Sequence, residues 1–117
     1  MTTSHTTTVG LFDADPGSLA AKSRVLRQVP GVDLRMAAES LGQMLTDPAF
    51  PPEVVILEQR AGERVSINYK IRVCRLADSR VIVVDSGRAN SPLAADVGSM
   101  MTPVHSFDEA IELLAAG

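Results

Sequence analysis

Three acidic residues each follow a short apolar run: Asp13 after VGLF, Glu58 after VVIL and Asp85 after VIVV. Runs of this length, rich in β-branched residues, are typical of strands that are buried on both faces of a parallel sheet. Because the carboxyl ends of parallel strands meet at one edge of an open sheet, we expect the three carboxylates to lie near one another. Strand ends also carry polar residues simply because they meet solvent, and the spacing alone leaves both interpretations open.

Strands and helices alternate along the chain, which predicts an α/β fold with a doubly wound, five-stranded parallel sheet of the flavodoxin type. Asp15 and Pro16 form the start signal of the first helix, and Ser106 with Glu109 forms a capping box for the last one. The helix predicted over Val65 to Leu76 places Cys74 on its apolar stripe. Strands are predicted at residues 8–12, 32–36, 54–57, 81–84 and 99–101, and the remaining helices near 40–45 and 92–97.

Length and composition limit the function classes. The chain has 117 residues, of which 45% are hydrophobic, and this predicts one domain over residues 9–117 behind a disordered tail of residues 1–8. The single cysteine excludes an internal disulfide framework and, without an export signal, predicts a cytoplasmic location. A net charge of -3 with scattered arginines argues against direct binding to nucleic acid. The apolar runs are too short to span a membrane.

Across nearly its whole length the chain resembles the receiver domain of bacterial two-component response regulators. The resemblance is carried by VGLFDADP, EVVILEQR, RVIVVDSG and MMTPV. In that family an acidic pair follows strand one, the phosphoacceptor aspartate ends strand three, a Thr or Ser ends strand four, and a Lys before Pro ends strand five. The resemblance implies the strand order 2-1-3-4-5 and a signalling domain that is not an enzyme.

Position by position, the phosphorylation pocket that this resemblance implies is degenerate. Asp13 takes the place of the first acid, and Ala14 stands where the second acid, a magnesium ligand, would be. Glu58 stands at the phosphoacceptor position, where its extra methylene moves the carboxylate away from in-line geometry. Asp85 replaces the hydroxyl residue and Thr102 replaces the lysine. The chain therefore resembles an atypical, or pseudo-, receiver that acts without phosphorylation of an aspartate.

Carboxylates that converge without that lysine repel one another and need another cation. Arg60 and Arg88 are the two candidates for an internal substitute for magnesium. We favour Arg60, because alternation along an extended segment would place it on the same side as Glu58. The alternative is that both arginines are solvated loop residues. Asp13, Asp15 and Glu58 offer oxygen ligands of the kind that magnesium accepts, but Asp15 is explained as a helix cap, and no metal or cofactor is predicted.

The resemblance also implies a homodimer that acts in transcription regulation. Its interface would lie within Pro92 to Ala116, with Leu93, Met100, Phe107 and Ile111 as candidates, although the core would take much of the last two. The partner is expected to be a second copy, a C-terminal DNA-binding domain absent from this chain, or a separate protein. An alternative function is a small-molecule sensor, whose ligand binds the vacated pocket or the loop after Asp85 and shifts a dimer equilibrium. A receiver still phosphorylated at Asp13 or Asp85 is disfavoured.

Overall fold

The computed structural model describes residues 6–60, 65–85 and 100–116. The strands are β1 (Thr7–Phe12), β2 (Val32–Ala38), β3 (Val54–Glu58), β4 (Arg80–Val84) and β5 (Thr102–Val104). The helices of the described residues are α1 (Pro16–Leu26), α2 (Leu41–Leu45), α3 (Ile67–Leu76) and α4 (Phe107–Ala116). All strand pairs are parallel and their order is β2-β1-β3-β4-β5, which confirms the predicted fold class.

Helices cover both faces of the sheet, because the inner strands are apolar at consecutive positions and bury both sides. On one face, α2 and α3 pack over the sheet in a core formed mainly by Phe12, Met44, Val55, Leu57, Ile71, Cys74 and Val83. On the other face, α1 and α4 pack over Val9, Leu11, Leu19, Leu26, Val54, Ile56, Ile82, Val84, Val104 and Ala110. Cys74 is fully buried, as its helical spacing predicted, and burial raises the pKa of its thiol to about 11.

The fifth strand begins later than the sequence predicted. Met100 and Met101 precede β5, which starts at Thr102 and includes Pro103, so the predicted bounds of 99–101 are wrong. A proline cannot donate to a ladder but is tolerated on an edge strand, and β5 is the last strand of the sheet. The weak helix predicted near residues 92–97 lies outside the described residues.

Side-chain caps fix where the helices begin. Asp15 precedes α1 and accepts a hydrogen bond from the backbone N–H of Gly17 at 3.1 Å. Ser106 accepts from the N–H of Glu109 at 3.2 Å, and the Glu109 carboxylate accepts from the N–H of His105 at 3.2 Å. α1 therefore starts directly at the carboxyl edge of the sheet. No helix within the described ranges is long and apolar enough to cross a membrane.

Candidate functional site

Asp13 is the centre of the site at the carboxyl edge of the sheet. Its backbone N–H donates to the carbonyl of Ala38 at 3.1 Å, which extends the β1–β2 ladder by one residue and holds the side chain in place. The carboxylate is fully buried. Its Oδ1 accepts from the backbone N–H of Asp15 at 3.0 Å. A buried carboxylate must find further donors, and two cationic side chains supply them.

Arg60 forms a bidentate contact with the two carboxylate oxygens of Asp13. Its Nε lies 2.6 Å from Oδ1 and its Nη2 lies 3.0 Å from Oδ2, the bidentate geometry that suits a planar guanidinium. The backbone N–H of Gln59 donates to the carbonyl of Val84 at 2.9 Å, so the chain stays extended for one residue beyond β3. Alternation then returns Arg60 to the side of Glu58. The structure thus places the guanidinium of Arg60 on the carboxylate of Asp13, and its role as a substitute for magnesium stays a prediction.

Lys22, which the sequence analysis missed, joins the two carboxylates. Its Nζ lies 3.0 Å from Oδ2 of Asp13 and also contacts Oε1 of Glu58. Lys22 follows Leu19 by three residues and precedes Leu26 by four, so it stands beside the buried stripe of α1. Helical side chains point towards the helix N-terminus, and α1 begins at the edge where both carboxylates lie. This spacing is the signal that could have identified Lys22.

Asp13, Lys22, Glu58 and Arg60 together form the Asp13 cluster, whose formal charges cancel. Burial alone would raise the pKa of Asp13. Hydrogen bonds from Arg60, from the backbone of Asp15, from Ser18 and from Lys22 outweigh burial and hold that pKa well below its ordinary value of 3.8. The hydrogen bond to Asp13 in turn holds the pKa of Arg60 above its ordinary value. Asp13 and Arg60 therefore face each other as an ionised pair near neutral pH.

The structure also locates the other residues that the resemblance assigned to the pocket. Ala14 is exposed at the edge and supplies no ligand atom from its side chain. Asp85 is half-buried after β4, where its backbone N–H donates to Val104 at 2.9 Å. Thr102 is exposed at the start of β5, paired with Ile82, whereas Val104 is the residue level with Glu58 across the ladder. The expectation that Thr102 ends β5 is therefore wrong, because the strand starts there.

The candidate interface residues that the structure describes are partly covered within the chain. Met100 packs against the α2–α3 core, while Phe107 and Ile111 pack against the α1–α4 core. Their role in an interface stays a prediction. Arg88 and Leu93 lie outside the described residues.

The residues of the cluster do not fit a magnesium ion. Lys22 contacts both Asp13 and Glu58, and Arg60 covers both oxygens of Asp13, so Oε1 of Glu58 and both carboxylate oxygens of Asp13 already accept hydrogen bonds. Asp15 is half exposed, caps α1 and lies 4.0 Å from Arg60. In residues 6–60, 65–85 and 100–116, no three His, Cys, Asp or Glu side chains are grouped to hold a metal ion. Lys22 and Arg60 also engage the carboxylates of the pocket in the ligand-sensing alternative, whose other candidate site, the loop after Asp85, lies outside the described residues.

Solved receiver structures share this architecture. The signal receiver domain of the response regulator NarL from Mycobacterium tuberculosis matches with a TM-score of 0.66 at 16% identity, over 96% of this chain and 94% of that chain. RcsB from Salmonella enterica serovar Typhimurium, bound to promoter rprA in the presence of phosphomimetic BeF3-, gives 0.65 at 13% identity, over 96% of this chain and 59% of that chain. The BeF3-activated receiver domain of DrrB gives 0.61 at 19% identity, over 95% and 93%. No protein-family model and no curated protein matches the sequence. The chain therefore has the fold of response-regulator receiver domains.

Proposed function

We propose that the chain is a non-enzymatic receiver domain that passes a signal by protein contact, without phosphorylation of an aspartate. The observation that carries this proposal is the contact of Lys22 with both Asp13 and Glu58. A lysine of the chain itself stands between the two carboxylates that the resemblance assigns to magnesium binding and phosphoryl transfer. The receiver fold supports the signalling role. Because a fold alone does not specify the chemistry of a site, the contacts of Lys22 support the part of the proposal that concerns phosphorylation.

Phosphoryl transfer would have to break this arrangement. The reaction depends on positioning and on a metal ion that neutralises the developing charge. Magnesium could reach Asp13 only by displacing the guanidinium of Arg60 or the ammonium of Lys22, both of which are already within hydrogen-bond distance. Ala14 offers no replacement ligand. The carboxylate of Glu58 is engaged by Lys22 and is one methylene longer than that of an aspartate acceptor.

The proposed output is a protein complex in the cytoplasm that regulates transcription. RcsB, whose receiver portion this chain resembles, was solved on a promoter, and the chain covers 59% of it. By analogy, a DNA-binding domain would belong to a longer form of this protein or to a separate partner. A dimer of this chain is the simplest complex.

Native mass spectrometry of the untreated protein, and after incubation with acetyl phosphate or BeF3- in the presence of magnesium, tests the proposal. We expect no covalent phosphoryl adduct and no bound BeF3-, while the DrrB receiver treated in parallel serves as the positive control. An adduct mapped to Asp13, Glu58 or Asp85 would overturn the proposal.

Lys22→Ala sharpens this test, because it removes the ammonium that stands between the carboxylates. Calcium or magnesium should raise the Tm of Lys22→Ala by mass action but leave that of the wild type unchanged. Lys22→Arg, which keeps the positive charge, is the matched control and should behave as the wild type. Equal stabilisation of all three proteins by the cation would contradict the assigned role of Lys22.

A further inference from the structure

The outer side of α3 is basic and carries an exposed leucine. Residues 67–76 include Lys70, Arg72 and Arg75 and no acidic residue. Lys70 is buried, whereas both arginines are exposed. Leu76 is 86% exposed, far more than the other large apolar side chains of the described residues. Arg72, Arg75, Leu76 and Met100 line an open pocket of about 380 Å³, and we call these four residues the basic face.

The outer side of α4 has the opposite character. Residues 107–116 include Asp108, Glu109 and Glu112 and no basic residue. Leu113 is 38% exposed. A groove of about 560 Å³ runs between α4 and β5, and the described residues that line it are here called the acidic face: Thr102, Pro103, Val104, Glu109, Glu112 and Leu113.

The two faces match in charge and cannot meet within one chain. Arg75 and Glu112 form no ion pair within the described part of the chain. Each directly precedes an exposed leucine, Leu76 or Leu113, so each face combines one sign of charge with an apolar contact point. The helices pack on opposite sides of the sheet, α3 in one core and α4 in the other. The charges of Arg75 and Glu112 can therefore be neutralised by contact with another molecule.

We infer that the basic face of one copy docks on the acidic face of a second copy. A two-fold contact of α4 with α4 would place Glu112 near its own counterpart, and like charges disfavour that arrangement. Contact between different faces leaves one basic and one acidic face open on each pair, so association proceeds head to tail. The proposed function requires a surface for contact between proteins, and this contact would supply that surface. In that respect the inference rests on the proposed function. Self-association is nevertheless measured on untreated protein, whereas the proposed function is tested by phosphoryl adducts.

Sedimentation velocity of the full chain at low salt tests the inference. Concentrations up to about 1 mM allow even an association with a Kd near that value to be detected. We expect the mean sedimentation coefficient of the wild type to rise with concentration and to fall when salt is added. Arg75→Glu and Glu112→Arg should each weaken association by about tenfold or more, because each places like charges in contact. The double variant should recover most of the association.

Arg24→Glu on α1 is the matched control, since it makes the same change of charge at an exposed arginine outside both faces and should associate as the wild type does. Circular dichroism verifies that each variant is folded. A wild type that stays monomeric at every concentration would overturn the inference. So would an Arg75→Glu variant that associates like the wild type, or a Glu112→Arg variant that associates more strongly, since the latter points to a two-fold α4 contact.

Discussion

Opposite charges are arranged in two different ways in this molecule. In the Asp13 cluster, two buried carboxylates, one directly after β1 and one at the end of β3, lie within hydrogen-bond distance of cations from α1 and from the segment after β3. On α3 and α4, bases and acids are kept on separate helices on opposite faces of the sheet. Charges paired inside one chain contribute to its folded state, whereas exposed charges such as those of Arg75 and Glu112 contribute little to folding but remain available to a partner.

The largest effect is expected from Asp13→Ala. The substitution leaves Arg60 without its bidentate acceptor and leaves Lys22 with Glu58 alone. Breaking a buried ion pair from one side is costly, so the free energy of unfolding should fall by about 3 kcal/mol. Urea unfolding monitored by circular dichroism measures this change.

Asp33→Ala is the matched control, because Asp33 pairs with Arg35 at 2.7 Å on the surface, with both side chains 40% exposed or more. Its loss should lower the free energy of unfolding by no more than about 1 kcal/mol. A similar loss for both variants would remove the contrast between the buried cluster and the surface charges.

An intermediate effect should appear on acidification. The pKa of Asp13 is lower in the folded protein than its ordinary value of 3.8, so its ionisation stabilises the fold fully above that value. This contribution is lost as the pH falls from about 5 towards the lowered pKa, and it should amount to on the order of 2 kcal/mol. Over this pH range, the free energy of unfolding measured with urea should therefore fall more steeply for the wild type than for Asp13→Asn. Parallel curves for the two proteins would contradict the assignment.

The smallest effect is expected from Arg75→Glu and Glu112→Arg. Neither side chain forms an ion pair within the described ranges, so each change should alter the free energy of unfolding by about 0.5 kcal/mol or less. Unfolding is measured in dilute solution, where association does not contribute. A loss of unfolding free energy comparable with that of Asp13→Ala would show that these charges act within the chain. The charges of α3 and α4 would then stabilise the fold as those of the Asp13 cluster do.

Much of the fold could be predicted because its signals are local. VVIL and VIVV are buried at every position, and such runs predict inner strands of a parallel sheet. The acids that follow these runs could be placed at one edge of the sheet, because the carboxyl ends of parallel strands meet there. The three-residue β5 gives a much weaker signal, since it contains Pro103 and lies beside the apolar pair Met100 and Met101. This weakness explains why Thr102 was placed at the wrong end of the strand.

The site was predictable where its geometry follows the backbone. Arg60 lies two residues after Glu58 on an extended segment, so the period of two placed it on the right side. Lys22 lies several residues from Asp13 and far from Glu58 in sequence. Its position on α1 predicts the direction of its side chain but not the residues that the side chain contacts. A long, flexible side chain can reach several positions at the edge of the sheet. Tertiary packing of α1 on the sheet decides which carboxylates it contacts.

Lys22 also lies over the ring of Phe107, with its Nζ 5.6 Å from the ring centroid. One side chain of α1 thus contacts the carboxylates of Asp13 and Glu58 and also the first residue of α4. The four charges of the cluster come from the polypeptide itself, so their formal balance is set when the chain folds. If the domain acts as we propose, this balance does not change with the supply of phosphodonor or magnesium, and the amount of complex depends on how many copies of the protein and its partner are present.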